Sequence, residues 1–202
     1  MLSEGTWDVV SLQQYSLLSG DADTYMPYAD HLYQLIKKLQ PGAKVVLHQT
    51  WAYRIDANSF GKIKGETRAK DQTEMWKSSR AAYHTVASKI GLGIIPSGDA
   101  FQKVNVDARW GFKPVNFNKD QAVYPVLPNQ DNSIIVGYSY DKEKKMKYDA
   151  KHANEIGCYL AGLVWYCFLF QDDPSHLNFK PDQVSPEFAA FLKQVTKDVT
   201  DI

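Results

Sequence analysis

The chain has 202 residues, 44% of them hydrophobic and 13% aromatic, which is enough to bury the core of one domain. Lys plus Arg equals Asp plus Glu at 23 each, so no global field draws the molecule to nucleic acid or to an anionic membrane surface, and its partner is expected to be neutral or small. The apolar run Ile156 to Phe170 is too short and too interrupted by Gly, Cys and Tyr to span a bilayer, and the amino terminus has no signal-peptide pattern.

Met1 to Gly5 reads like the last turn of a helix with its glycine cap, and Trp7 to Ser16 as a buried strand running into polar residues at its carboxyl end. A loop at Ser19 to Asp23 follows. Tyr25 to Gln40 then carries Tyr28, Leu32, Leu35, Ile36 and Leu39 at helical spacing and is stopped by Pro41-Gly42. Lys44 to Trp51 is a second strand, and the strand–helix–strand unit predicts a right-handed crossover with Val9–Leu12 parallel to Val45–Leu47. Polar residues 58–70 read as a loop. Gln72 to Ile90 reads as a helix ended by Gly91, with Met75, Ser79, Ala82, Tyr83 and Val86 facing the sheet. Gly93 to Phe101 is a third short strand ending in a turn.

From Val104 to Tyr148 the pattern breaks into Pro, Asn and aromatic residues, with only Ser133 to Tyr140 reading as a strand. Such a stretch is too long for a simple loop, and an insertion over an active-site mouth or an irregular packed connection both fit it. Lys142 to Lys147 reads as a solvated loop. Asp149-Ala150-Lys151-His152 is placed at the entrance of the helix over Ile156 to Phe170, and Ser185-Pro186 starts a last helix running to about Val199. Cys158 and Cys167 lie about 13 Å apart along one helix, too far for a disulfide, and read as core. No Cys/His cluster has zinc spacing, so neither a metal nor a cofactor is expected.

The chemistry concentrates at the carboxyl ends of the strands, where an open parallel sheet places its site. Asp149 can accept from Nδ1–H of His152, which fixes the tautomer and leaves Nε2 to take a proton from a nucleophile; an Asp that caps a helix beside a surface His is the plain alternative. Gln13 and Gln14 end the first strand. Successive strand residues face opposite sides, so one of the two amides points at the site, and Gln14 is slightly preferred, with a hydrogen bond to neighbouring loop backbone an equal reading for either. His48, Gln49 and Trp51 end the second strand as candidates for the oxyanion wall or for substrate contact, with a structural histidine an equal reading for His48 and packing the commoner role for Trp51 and Tyr53. Ser16 and Ser97 lie near the same edge, but neither is read as sitting on the sharp strand-to-helix turn that exposes a nucleophile.

The blocks Trp7 to Ser16, His48 to Tyr53, Ile94 to Phe101 and Asp149 to Leu160, in that order, resemble the SGNH/GDSL hydrolase superfamily, in particular a poorly characterised bacterial branch. The resemblance implies a flavodoxin-like, three-layer α/β/α fold with a parallel sheet over residues 1–202, interrupted by the irregular insertion at about 104–148. It implies a serine esterase, an O-deacetylase of carbohydrates, with Asp149 and His152 in its triad and Gln14, Gln13, His48, Gln49 and Trp51 at the oxyanion or substrate. The family's serine block would lie upstream of Trp7, where this chain has only a few residues, so the expectation is a chain lacking its first strand or strands and inactive as it stands. A non-catalytic carbohydrate-binding or scaffold domain is the alternative. Loss of the first strand would expose a sheet edge for self-association, and it would leave the compartment open, a periplasmic or secreted location included.

Overall fold

Valine-rich segments bounded by polar turns form the centre of the first of two compact units, Met1–Ala52 with Ser59–Asp99; the second comprises Tyr53–Asn58 and Ala100–Ile202. The structure is a computed structural model describing residues 2–118 and 122–202, so Met1 of the expected amino-terminal helical turn lies outside the described residues. Leu2 to Gly5 form turns rather than a helix.

In the first unit, β1 (Val9–Leu12), β2 (Lys44–His48) and β5 (Gly93–Ile95) form a parallel sheet in the order β1-β2-β5. Leu12, Leu47 and Ile94 share one register row. Onto them pack Tyr25, Ala29, Ala82, Tyr83 and Val86, joining the start of α1 (Tyr28–Leu39) and the middle of α2 (Gln72–Ile90) in one apolar cluster. The side chains expected on the inner face of α2 are all buried there. Asp71 caps its first turn through Glu74 N–H, and Gly91 closes it in the left-handed conformation at φ 76°, which glycine adopts without steric cost. The stretch 58–70 is more ordered than its polarity suggests: β3 (Lys62–Lys64) and β4 (Thr67–Arg68) form a short hairpin turning at Gly65.

After β5, Pro96 breaks the extended run and α3 (Ser97–Val106) begins at once. In the second unit β6 (Ile135–Tyr140) and β7 (Met146–Ala153) form an antiparallel pair, followed by α4 (Glu155–Phe170) and α5 (Pro186–Thr200), which pack together and bury Leu160, Leu163 and Val164 of the first helix and Leu192 and Val195 of the second. Ser185 caps α5 and Pro186 occupies its first position, as the sequence indicates. Cys167 is in the core, whereas Cys158 is exposed, a correction that follows from the solvent-facing side of α4 on which it falls. Residues 107–118 and 122–134 are largely irregular, and 119–121, within the expected insertion, are outside the described residues. No helix among the described residues is long and apolar enough to cross a membrane.

The stripe on α1 does not behave as a core stripe. Only Ile36 of its five large apolar side chains is buried; Tyr28 is 68% exposed and Leu32, Leu35 and Leu39 are 40–46% exposed. Among the described residues β1 has a strand partner on one side only, and Trp7, Val9 and Val10 line a shallow groove with Leu2 and Ser11. An edge strand with apolar flanks is a template for pairing, and an apolar patch of this kind is unusual on a monomer. The chain is therefore expected to self-associate through β1 and α1 in sedimentation velocity. Leu35→Glu, at a side chain that is 45% exposed, should shift it to monomer, and a monomer at all concentrations in the unaltered chain would contradict the expectation.

Candidate functional site

The Asp149–His152 pair lies within β7, not at the entrance of a helix. The cap of α4 is Asn154, whose Oδ1 accepts from Gly157 N–H while its Nδ2 donates to Ser133 O at 2.6 Å, tying the helix start to the beginning of β6. With the capping role taken by Asn154, Asp149 is free for a different task. Its Oδ1 accepts from the backbone N–H of Lys151 and of His152, at 2.9 and 3.0 Å, and its Oδ2 lies 2.7 Å from His152 Nδ1. Burial pushes this carboxyl up, but those backbone and imidazole hydrogen bonds outweigh it and hold Asp149 below the ordinary carboxylate range. The imidazole itself is 81% exposed, and no described residue bonds its Nε2. An ionised carboxylate facing Nδ1 keeps the proton of a neutral ring there and leaves the lone pair on Nε2.

The hairpin that carries this pair is held from beneath by Arg54. Its guanidinium is 2% exposed and forms a fork with Asp56, Nε to Oδ1 at 2.7 Å and Nη2 to Oδ2 at 2.8 Å, while Nη1 donates to Gln130 Oε1 at 2.7 Å. The rings of Phe112, Tyr138 and Tyr148 surround it, the first at 4.5 Å. Arg54 N–H also donates to Ala150 O, between Asp149 and His152. Tyr148 O–H donates to Asp56; burial and that contact together push the phenol well above its usual range. Tyr53, an aromatic offered for stacking on a sugar, is 2% exposed and is a core residue with Lys151 over its ring. A second pair, Asp172 Oδ1 with His176 Nδ1 at 2.9 Å, was not singled out from the sequence, although its four-residue spacing was visible; Tyr166 O–H also donates to that Asp172.

In the first unit the strand ends deliver a different arrangement. His48 lies with Nδ1 2.6 Å from Gln13 Oε1 and Nε2 2.9 Å from Ser97 Oγ, with Trp51 edge-on to its ring at 6.4 Å between centroids. Ser97 does stand at a strand-to-helix turn, contrary to the sequence reading, because Pro96 ends β5 one residue earlier; its side chain is completely buried against His48. Gln14, the preferred amide, is committed: Nε2 donates to Thr24 Oγ1 at 3.0 Å and to Thr24 O, and its backbone N–H donates to Tyr83 O–H oxygen. Gln49 is buried with both ends of its amide on Asp99, which also accepts from Trp76 Nε1 and pairs with Arg80. Gly98 has no room for a side chain, since a Cβ there would lie 2.3 Å from Thr50 O. Among the described residues no group of three or more His, Cys, Asp or Glu is placed to hold a metal.

The architecture is mixed α/β, with a parallel sheet and helices, consistent with a three-layer α/β/α fold. The chain belongs to the DUF4886 family, described as a domain of unknown function, whose model matches residues 1–124. A crystal structure of a DUF4886 family protein from Bacteroides uniformis ATCC 8492 superposes with a TM-score of 0.70 at 23% identity over 98% of this chain, and the chain spans 64% of the length of that protein. A possible lipase from Chitinophaga pinensis DSM 2588 matches with a TM-score of 0.40 at 16% identity, over 83% of this chain and 75% of that one. No curated protein matches.

Burial lowers the pKa of His48 to about 4, so the folded protein binds its proton less readily than the unfolded chain, where the ordinary value is 6.5. A lowered folded-state value means that the stabilisation is complete above pH 6.5 and is lost as pH falls toward 4. Urea melts should therefore show stability declining by up to about one proton's linkage between pH 6.5 and 5. His48→Asn should flatten that slope; an equal slope in both proteins would show that His48 is not shifted.

Proposed function

We propose that the protein is an acyl-ester hydrolase of SGNH type, acting on acetyl esters of carbohydrates, with His152 as its general base and Asp149 as the residue that orients it. The observation that carries this reading is the 2.7 Å contact between Asp149 Oδ2 and His152 Nδ1 on a ring whose other nitrogen faces solvent. A neutral imidazole held in this tautomer can accept the proton of an attacking hydroxyl at Nε2 and return it to the leaving alkoxide. Asp149 stabilises the imidazolium formed between those steps without being protonated itself.

Three features support the assignment of Asp149 to this role. It is not spent on capping α4, its ionised form is favoured by two backbone amides, and the strand bearing it is pinned by Arg54 through Ala150 O. The exposed ring of His152 is suited to a substrate that arrives from solvent. The pair Asp172–His176 is less suited, because its carboxylate is shared with the Tyr166 hydroxyl.

The test is turnover of p-nitrophenyl acetate and of an acetylated oligosaccharide by the protein as encoded in its genome. Asp149→Asn should lower kcat by about four orders of magnitude and His152→Ala by about six, the scales seen when a triad loses its orienting acid or its base. Both substitutions are at solvent-accessible side chains, so the melting temperature should move little. Near-unaltered turnover in either variant would sink the assignment.

A further inference from the structure

The second unit carries a lysine-lined groove that the ester chemistry leaves unused. One wall is the face of α5 bearing Ala189, Ala190, Lys193 and Lys197; the other is the segment 175–180, which overlaps the short helical turn Pro174–His176 and runs on from it. A cavity of about 420 Å³ lies between them, and the small side chains at 189 and 190 help to keep it open. Lys193 and Lys197 stand four residues apart on one helix face, where like charges repel. Lys197 is relieved by Asp173, whose Oδ2 lies 2.5 Å from its Nζ. Lys193 is not: its ammonium reaches across to Leu177 O at 2.5 Å, a neutral acceptor, and it has no carboxylate partner among the described residues. Lys180, half-buried on the opposite wall, has neither a hydrogen-bond nor an ion-pair partner among them.

Two positive charges thus border one groove without compensation, and none of the residues lining it is acidic. A cleft lined by one sign of charge concentrates ions of the other. The rest of the lining selects among anions. Phe179 is 71% exposed even though its ring lies edge-on to Tyr159 at 6.0 Å between centroids. Asn178 beside it is exposed, and no described residue bonds its amide. Gln194 spends its Nε2 on Asp198, while nothing described donates to its Oε1. An open aromatic ring suits the C–H face of a pyranose, and side-chain amides suit its hydroxyls. A bare inorganic ion would engage the lysines and neither of these.

We propose that the groove between α5 and residues 175–180 binds a sugar residue that carries an anionic group, with its carboxylate or phosphate against Lys180 and Lys193 and its ring beside Phe179. The inference stands on the groove alone. Binding and not turnover tests it, so failure of the Asp149–His152 assignment would leave it intact.

The probes are glucuronate and glucose 6-phosphate, with glucose as the uncharged sugar and acetate and inorganic phosphate as the sugar-free ions. Each is titrated into the whole chain and followed by ¹⁵N NMR at protein concentrations where sedimentation shows monomer. At least one anionic sugar should give saturable shifts centred on residues 175–180 and 186–197, with an affinity about fivefold or more above that of glucose and of its own sugar-free ion. The tighter of the two anionic sugars assigns the charge as carboxylate or phosphate. Lys180→Glu, which removes no bond to any described residue, should weaken that binding by about tenfold or more, and added salt should weaken it as well. Lys142→Glu, the same change of charge on the turn between β6 and β7, should leave it within about twofold, which separates the groove from net charge. No saturable binding of either anionic sugar, equal affinity for glucose or for the sugar-free ion, shifts centred elsewhere, or unaltered affinity in Lys180→Glu would each overturn the proposal.

Discussion

A guanidinium with almost no solvent contact must be neutralised where it lies, and the way Arg54 achieves this organises the second unit. Two bonds to Asp56, one to Gln130 and three aromatic rings replace the water it gives up. Each partner is thereby fixed too. Gln130 Oε1 also accepts from Tyr138 N–H while its Nε2 donates to Tyr138 O, so the irregular segment before β6 is stitched to that strand, and Tyr148 reaches Asp56 from β7. Gly137 is required by the same cluster: its φ of +70° suits glycine, and a Cβ there would lie 1.8 Å from Arg54 Nη1. The register shift in the β6–β7 pair falls between Ile135 and Gly137, where Gly137 faces Asp149 across the ladder. Removing one partner of such a buried pair costs about 3–5 kcal/mol, so the stretch bearing Asp149 and His152 owes its geometry to a charge placed nearly a hundred residues earlier in the chain.

Elements whose periodicity and end signals agree were legible from the sequence. The apolar run of β2, the inner face of α2 and its Gly91 cap, and the Ser185-Pro186 start of α5 each combine a repeat with a stop or start residue, and the structure has them where those signals lie, whereas β1 forms where expected but is half-buried rather than buried. β7 was hidden for a physical reason. Its alternation of Met146, Tyr148, Ala150 and His152 against lysine and aspartate is the pattern of a half-buried strand, but the lysines before it favour a solvated loop and Asp149 mimics a helix cap. The α1 stripe was read as core because helical spacing identifies a face and not what covers it. For the Gln pair, strand alternation rightly separates the two side chains, but only the tertiary positions of Thr24 and His48 decide that Gln14 turns to the first and Gln13 to the second. Ser97 likewise depends on where Pro96 ends β5, a boundary finer than apolar patterning resolves.

Two histidines illustrate how environment divides labour between identical side chains. His48 is kept neutral by burial and has both ring nitrogens bonded to uncharged partners, which makes it a rigid strut. His152 is open to solvent and faces an ionised carboxylate at Nδ1, with no described residue bonded to its Nε2. The first arrangement suits orientation of a neighbouring group, the second acid–base work.

The central claim is that Asp149 sets the tautomer of His152. Ring-nitrogen ¹⁵N spectra of the neutral His152 ring test it most directly. The account predicts a dominant Nδ1–H form in the unaltered protein that gives way to a mixture favouring Nε2–H, as in free imidazole side chains, when Asp149 is replaced by Leu. The same tautomer distribution in both proteins would contradict it.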